Sequence, residues 1–374
     1  MPDPATPAIR PVEPRDLAQI NRLLDRVWFP QKTAAGFDWL IRKNPGQSGL
    51  PAGWVAQDGS GHVSAFLGNF VQKAWRAGNP YLIASGQSFV AAPDQGGRAL
   101  SLLRTFLRQD APILLSGMNA NPVSARIYTA MKLAVYPETG SLKLSWITNP
   151  PLVALGALSW RAHELAGGQH MRRIPDIPRP APDIDAILSR HAADVQRITS
   201  PATHTGLAAF DVQLRDGPRL FTERSPEALA WRLADPDQAA PPVLLAYPQS
   251  GTIRGLALFQ FNKPSEAEPP YLDIIDLVTL DPDDGAAAQA LVRAGLALAR
   301  HGGAARLRLA MVTSTLLRQL GPLAQSARQS TSETPHAFHK ANPNMSAPVS
   351  DTWQPLPYDG DNGPSLRPLP IRLR

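Results

Sequence analysis

The stretch that decides the fold runs from Tyr81 to Leu133, YLIASGQSFVAAPDQGGRALSLLRTFLRQDAPILLSGMNANPVSARIYTAMKL. An apolar extended run, Leu82 to Ala92, leads into a turn carrying Pro93, Asp94, Gly96 and Gly97. Leu100, Leu103, Phe106 and Leu107 then recur at helical spacing, and Pro112 to Ser116 is a short apolar run bounded by turn residues. Pro122 stands where a second helix starts, with Ile127, Tyr128 and Met131 along it. The order is strand, glycine turn, helix, strand, helix. Backbone N–H groups of a glycine turn entering a helix converge on one spot, and the helix dipole favours an anion there. The turn therefore suits a pyrophosphate, with Arg98 adding charge. The competing reading is a plain glycine turn before a helix, which is a common connection.

Before this stretch, residues 1–8 read as a proline-rich disordered leader. Ile9 to Val12 makes a short strand, and Glu13 to Asp16 starts a helix with Leu17, Ile20, Leu23, Leu24 and Val27 on its apolar face. Trp28, Phe29, Phe37, Trp39 and Leu40 mark a second helical region, more suited to core packing than to walling an acceptor site. Trp54 to Gln57 and Val63 to Val71 are strands joined by the turn Asp58-Gly59-Ser60-Gly61. After the stretch, Leu142, Leu144 and Trp146 alternate along Ser141 to Ile147, a strand expected to close the first sheet. The expected divisions are a first domain over residues 9–149, a linking helix and stiff proline-rich linker over 150–182, and a second domain over 183–374.

The second domain repeats the first. Pro270-Tyr271-Leu272 opens a strand as Pro80-Tyr81-Leu82 does, Pro282-Asp283 ends it as Pro93-Asp94 does, and both strands lead into an apolar helix. Trp231 to Pro236 parallels Trp39 to Pro45, and a hairpin around Gln249 to Gly251 parallels the one at Asp58 to Gly61. The copies differ at the turn. The second turn, Asp281-Pro282-Asp283-Asp284-Gly285-Ala286, has three carboxylates and no arginine, so repulsion opposes a bound anion there. These carboxylates read as partners of the helix dipole rather than a metal site. The later Thr313 to Leu320 helix lacks the Asn and Tyr of its counterpart, which makes the second copy degenerate. Ser326 to Ser350 reads as a mobile polar loop containing His336 and His339, without a third zinc ligand in view. Asp359 and Asp361 stand in a turn-like Asp-Gly-Asp, with contact to a cationic acceptor as the other reading.

At 374 residues the chain has room for two cores. It contains no cysteine, which excludes disulfides, thiolate metal sites and a cysteine nucleophile. The net charge of +6 is spread without a basic block, which favours an anionic cofactor or substrate over nucleic acid. No signal peptide and no apolar run of bilayer-spanning length is visible, so no membrane insertion and a cytoplasmic location are expected.

Val90-Ala91-Ala92-Pro93 before the glycine turn, the order of elements, and Asn121-Pro-Val-Ser-Ala-Arg-Ile-Tyr128 together resemble the GNAT superfamily of acyl-CoA N-acyltransferases. The Asn-x-x-Ser-x-x-x-Tyr spacing is the more specific part, and Ile-Arg-Pro-Val followed by Asp-Leu resembles the family's first strand and helix. Two departures stand out: Gln95-Gly96-Gly97-Arg98-Ala99 is one residue shorter than the usual Gln/Arg-x-x-Gly-x-Gly/Ala, or else places Arg98 and Leu100 at the glycine positions, and Lys132-Leu133 replaces the usual Gly-Phe. The closing Trp353-Gln-Pro-Leu and Tyr358-Asp359-Gly360-Asp361 resemble the ends of GNAT-like proteins associated with bacterial polysaccharide biosynthesis.

The resemblance implies an α/β (α+β) fold of two tandem GNAT-like domains, each a mixed sheet flanked by helices. It implies transfer of an acyl group, acetyl first, from acetyl-CoA or another acyl-CoA to a primary amine of a small-molecule or amino-sugar acceptor, without a metal. Backbone N–H groups at Phe89, Val90 and Ala91 would hold the thioester carbonyl, and Gln95, Gly96, Gly97, Arg98 and Ala99 would cradle the pyrophosphate. Asn121 would bond the pantetheine arm or the substrate, and Tyr128 would give a proton to sulfur, against the reading of a packed helix tyrosine. The strand carries Ser85, Gln87 and Ser88 where a Glu or Asp is expected. Either Ser85 or Gln87 orients the amine for water-mediated deprotonation, or the domain is inactive. The alternatives are a Fem-type aminoacyl transferase, opposed by the CoA-like loop, and a non-catalytic tandem protein that binds a ligand or partner.

Overall fold

A computed structural model describes residues 9–27, 29–93, 95–118, 120–136, 141–165, 182–238, 240–264, 268–332, 337–342 and 352–360. The expected leader, most of the expected proline-rich linker, Trp28, Asp94, His336 and Asp361 lie outside them. The first half runs β1 (Ile9–Pro11), α1 (Leu17–Arg26), α2 (Ala34–Ile41), β2 (Gly53–Gln57), β3 (Val63–Arg76), β4 (Asn79–Ala91), α3 (Gly96–Leu107), β5 (Leu114–Met118), α4 (Pro122–Ala130), β6 (Ala134–Val135) and β7 (Leu142–Ile147). Helix α5 (Pro150–Leu165) follows. The second half runs α6 (Ile184–His191), β8 (Gln196–Ile198), α7 (Thr205–Asp216), β9 (Phe221–Thr222), α8 (Pro226–Leu233), β10 (Val243–Gln249), β11 (Thr252–Asn262), β12 (Tyr271–Thr279), α9 (Ala286–His301), β13 (Arg306–Leu309), α10 (Ser314–Leu320), α11 (Pro322–Ser326), β14 (Arg328–Thr331) and β15 (Ala337–Ala341).

Two mixed sheets result, and they are built alike. One reads β1-β2-β3-β4-β5-β15-β6, with β9 paired to β3, and the other, taken from the matching end, reads β8-β10-β11-β12-β13-β7-β14. Along each order lies one strand from the other half, and β9 adds a second such strand to the first sheet. β7 lies between β13 and β14 in the second sheet, and β15 lies between β5 and β6 in the first. This corrects the expectation that Ser141 to Ile147 closes the first sheet. Leu144 and Trp146 are buried in the second half's core, where Trp146 donates from Nε1 to the Leu323 carbonyl at 2.9 Å. It also corrects the reading of Ser326 to Ser350 as a loop, since β14 and β15 lie inside that span and His339 is a buried strand residue.

Local chemistry sets the elements. Ile20, Leu23 and Leu24 give α1 a buried stripe, and Leu102, Leu103, Phe106 and Leu107 do so for α3 against the first sheet. Thr33, Ser225 and Thr313 cap α2, α8 and α10, each hydroxyl accepting a backbone N–H. The β10–β11 hairpin turns through Ser250 and Gly251, both at positive φ as its short connection requires.

The repeat is visible side chain against side chain. Trp39 on α2 and Trp231 on α8 stack with ring centroids 4.3 Å apart, and each indole donates to the other's backbone carbonyl, at 2.9 and 3.2 Å. These are the two tryptophans paired by the sequence repeat. Their reciprocal contact puts a local two-fold relation at the junction of the halves.

Candidate functional site

Two strands of the first sheet part in mid-course. β4 and β5 pair in parallel from Ile83 opposite Leu114 to Gly86 opposite Gly117; β4 then continues to Ala91, while β5 ends at Met118. Just past the parting, the register of β4 against β3 shifts between Phe66 and Gly68, and Ser88 takes a φ of +51°. A bulge of this kind bends the strand and turns backbone groups out of the ladder. Phe89 and Ala91 beyond it pack on the α3 side of the sheet, and Val90 packs on the α1 side.

Tyr128 of α4 reaches the same point. Its ring lies over Gly117: a Cβ there would stand 2.7 Å from Cε2, 2.8 Å from Cζ and 3.1 Å from Oη. Phe338, on the inserted strand β15, backs the ring with centroids 5.3 Å apart. Glycine at 117 is thus what allows the tyrosine to approach the backbone where the strands separate.

The start of α3 is open. Gly96 and Gly97 are its first two residues, both are exposed, and a Cβ on either meets nothing within 4 Å. Gln95 precedes them without capping the helix by its side chain. The space beside these two glycines is open, and the N–H of Arg98, next in the helix, already donates to the Gln95 carbonyl at 3.0 Å. Arg98 is turned back, its Nη1 donating to Gln95 Oε1 and, at 3.3 Å, to Ser64 Oγ, while Ala99 is buried against the sheet. Asn121 is the N-cap of α4; its Oδ1 accepts from the N–H groups of Val123 and Ser124 at 3.0 and 2.8 Å.

Ser85 and Gln87 lie on the face of β4 opposite α3, and both are buried. Ser85 Oγ has no hydrogen-bond partner. In register it stands beside Ser116 of β5, and Ser116 stands beside His339 of β15. The His339 Nδ1 is likewise buried without a partner, and burial holds the imidazole below its ordinary pKa, in the neutral form. The sequence places His339 in a loop because its strand is five residues long and sits between segments rich in polar residues.

The second half has the same parting but closes it. β12 and β13 pair from Leu272 opposite Leu307 to Ile274 opposite Leu309, and the register of β12 against β11 shifts at that level. At the start of α9, however, Gln319 of α10 fills the space, its Nε2 donating to Thr279 Oγ1 at 2.7 Å and to the Asp281 carbonyl at 3.0 Å. A Cβ on Gly285 would strike the Gln319 carbonyl, and Asp284 Oδ1 accepts from Ala286 N at 2.8 Å.

Between the halves lies a buried ion cluster. Arg224 binds both oxygens of Asp276, at 3.1 and 2.9 Å, reaches Asp359 at 3.2 Å and bonds Thr222. Burial alone would lower the Arg224 guanidinium, but Asp276 and then Asp359 outweigh it and hold it above its ordinary value. Tyr358 is sandwiched between Arg224 and Arg232, at 4.3 and 4.4 Å, and burial pushes its hydroxyl up to about 12. Asp359, read from sequence as a turn residue or an acceptor contact, is one of the carboxylates locking this cluster.

Among the described residues no group of three or more His, Cys, Asp or Glu could hold a metal ion, and no helix is long and apolar enough to cross a membrane. No family model matches the chain, and no curated protein matches it by sequence. Solved structures match its fold. A GCN5-related N-acetyltransferase from Anabaena variabilis shares 13% identity at a TM-score of 0.51, over 90% of this chain and 73% of that one. The N-myristoyltransferase of Saccharomyces cerevisiae, solved with myristoyl-CoA bound, shares 12% identity at a TM-score of 0.50, over 96% of this chain and 86% of that one.

Proposed function

From a chain that carries the GNAT fold in tandem, we propose an acyl-CoA-dependent N-acyltransferase with a single reaction centre, in the first half. The observation that carries the reading is the contrast between the two copies. In the first, β4 and β5 part beside Tyr128 and the α3 N-terminus is unobstructed; in the second, Gln319 and Asp284 occupy the matching place.

The residues fit an acyl-CoA as co-substrate. The first N–H groups of α3, at Gly96 and Gly97, offer a pyrophosphate both donors and the positive end of the helix dipole. Gln95 and Arg98 are within reach of the same place, and Ala99 lets the helix sit close on the sheet. The acyl arm enters where β4 and β5 separate, with backbone groups at Phe89 to Ala91 holding the carbonyl oxygen. Asn121 keeps α4 in place, and its amide nitrogen is left to meet the arm. A neutral primary amine attacks the carbonyl carbon; the C–N bond forms, the C–S bond breaks, and the Tyr128 hydroxyl supplies the proton to sulfur. The amine loses its own proton to water, with Ser85 and Gln87 orienting it, since β4 carries no carboxylate. The acyl group is acetyl and the acceptor an amino sugar or other small amine, acting in the cytoplasm.

The test is calorimetric titration of the full chain with acetyl-CoA, beside a Gly96→Glu/Gly97→Glu variant. One site per chain, abolished by the two carboxylates, supports the reading and starts a screen of amines, amino sugars first. Absence of binding by the folded protein sinks it and favours a tandem protein that binds a ligand without chemistry.

A further inference from the structure

The sheet of the second half bears a cationic cavity that the acyl-transfer reading does not use. It measures about 410 Å³ and lies on the face of the sheet opposite α9. Its charged walls come from four neighbouring strands: Asp273 of β12, Arg306 and Arg308 of β13, Lys143 of β7 and Arg328 of β14. Register aligns them. Asp273 stands opposite Arg308, Arg308 opposite Ser145, and Ser145 opposite Arg328, so the two arginines flank one serine. Strand spacing puts their backbones about 10 Å apart, with room between them for a small ligand.

The charges do not cancel. Arg308 is spoken for: it binds both oxygens of Asp273, at 2.6 and 2.7 Å, and lies 4.1 Å above the Tyr271 ring. Arg306 has only Ser145 Oγ, at 3.4 Å, and neither Lys143 nor Arg328 has a hydrogen-bond or ion-pair partner among the described residues. Glu268 lines the adjoining cavity that shares Tyr271 and Arg306. Counting it, two positive charges are left without a counterpart. Like charges on adjacent strands repel, and the crowding is felt: burial and then Arg308 lower the Lys143 ammonium. A solvated surface would gain nothing from holding around one hollow three cations that have no ion-pair partner among the described residues.

We propose that this cavity is a binding site for a small organic dianion, a phosphate monoester or a dicarboxylate, held by Lys143, Arg306 and Arg328 with Ser145 and Ser330 as hydroxyl donors. The site exists only because of the strand exchange, since Lys143 and Ser145 belong to the first half and the remaining walls to the second. It is independent of acyl transfer and stands whether or not the first half binds CoA.

Titration of the full chain at low ionic strength with inorganic phosphate and with malonate, against sodium chloride as control, tests it. The expected result is saturable binding of at least one of them. Lys143→Ala/Arg328→Ala, which removes two side chains without a hydrogen-bond or ion-pair partner among the described residues and so leaves the fold intact, weakens binding at least about tenfold. Gly96→Glu/Gly97→Glu, which blocks the other place an anion would go, leaves it unchanged. Tighter phosphate identifies a phosphorylated ligand and tighter malonate a dicarboxylate. Failure of both anions to bind overturns the proposal, and so does binding indifferent to Lys143→Ala/Arg328→Ala or lost in the glycine variant.

Discussion

Substituting Gly117 by alanine adds one methyl group at the point where β4 and β5 separate. The new Cβ would stand 2.7 and 2.8 Å from two ring carbons of Tyr128, whereas carbon atoms pack at about 3.5–4.0 Å. The ring must retreat by about 1 Å. Retreat is resisted, because Tyr128 is 5% exposed and Phe338 behind it is 1% exposed. Overpacking of this kind costs about 1–3 kcal/mol, read as a lower urea midpoint at unchanged slope. A reacting group displaced by about 1 Å loses up to about 100-fold in rate, so thiol release from acyl-CoA falls by that order with whichever amine the screen yields. Tyr128→Phe alone should lower the rate and spare stability. The clash is with ring carbons that phenylalanine keeps, so Gly117→Ala/Tyr128→Phe stays destabilised, while Gly117→Ala/Tyr128→Leu recovers. Wild-type stability in Gly117→Ala, or rescue by the phenylalanine double variant, would refute the placement of the ring.

Other parts of the molecule are equally open to test. Asp276→Asn leaves the fully buried Arg224 without its two-pronged partner and should cost about 3–5 kcal/mol by urea unfolding, and a loss under 1 kcal/mol would mean Asp359 suffices. His339 is held below its ordinary pKa of 6.5 by burial, so the unfolded chain binds the proton more readily. Its contribution is complete above pH 6.5 and is lost as pH falls below it, with a slope of up to about 1.4 kcal/mol per pH unit. Melting of wild type and His339→Gln from pH 7.5 to 5.5 should show that extra slope only in the wild type. Trp231→Ala removes the indole stacked on Trp39 and should cost about 3 kcal/mol, with loss of any near-ultraviolet dichroism arising from the pair.

Much of the architecture was legible because it is written in local chemistry. Leu82 to Ala92, the glycines at 96 and 97, and the apolar spacing of α3 specify strand, turn and helix wherever they occur, and the Pro-Tyr-Leu repeat announced a second copy. What was not legible is which sheet a strand joins. The alternation of Leu142, Leu144 and Trp146 says that one face is buried and is silent on whose core buries it. The ion cluster was hidden for a related reason: Arg224, Asp276 and Asp359 are far apart in sequence, and nothing in the residues beside each one marks it as buried. The spacing from Asn121 singles out Tyr128 in the sequence, yet the glycine that makes room for its ring could be recognised only once β5 and α4 were in contact.

The reciprocal strands also order events in time. On the ribosome, β5 emerges long before β15, which follows roughly 220 residues later, about 10–45 s at ordinary rates of synthesis. Until then the first sheet shows an unpaired edge of Leu114, Leu115 and Met118, the kind of template on which chains aggregate. The nascent first half therefore waits, unfinished and adhesive, for a strand encoded roughly 220 codons later. A chaperone that shields that edge would raise the yield of soluble protein, and a chain stopped after Leu165 would be expected to precipitate rather than survive as a free domain.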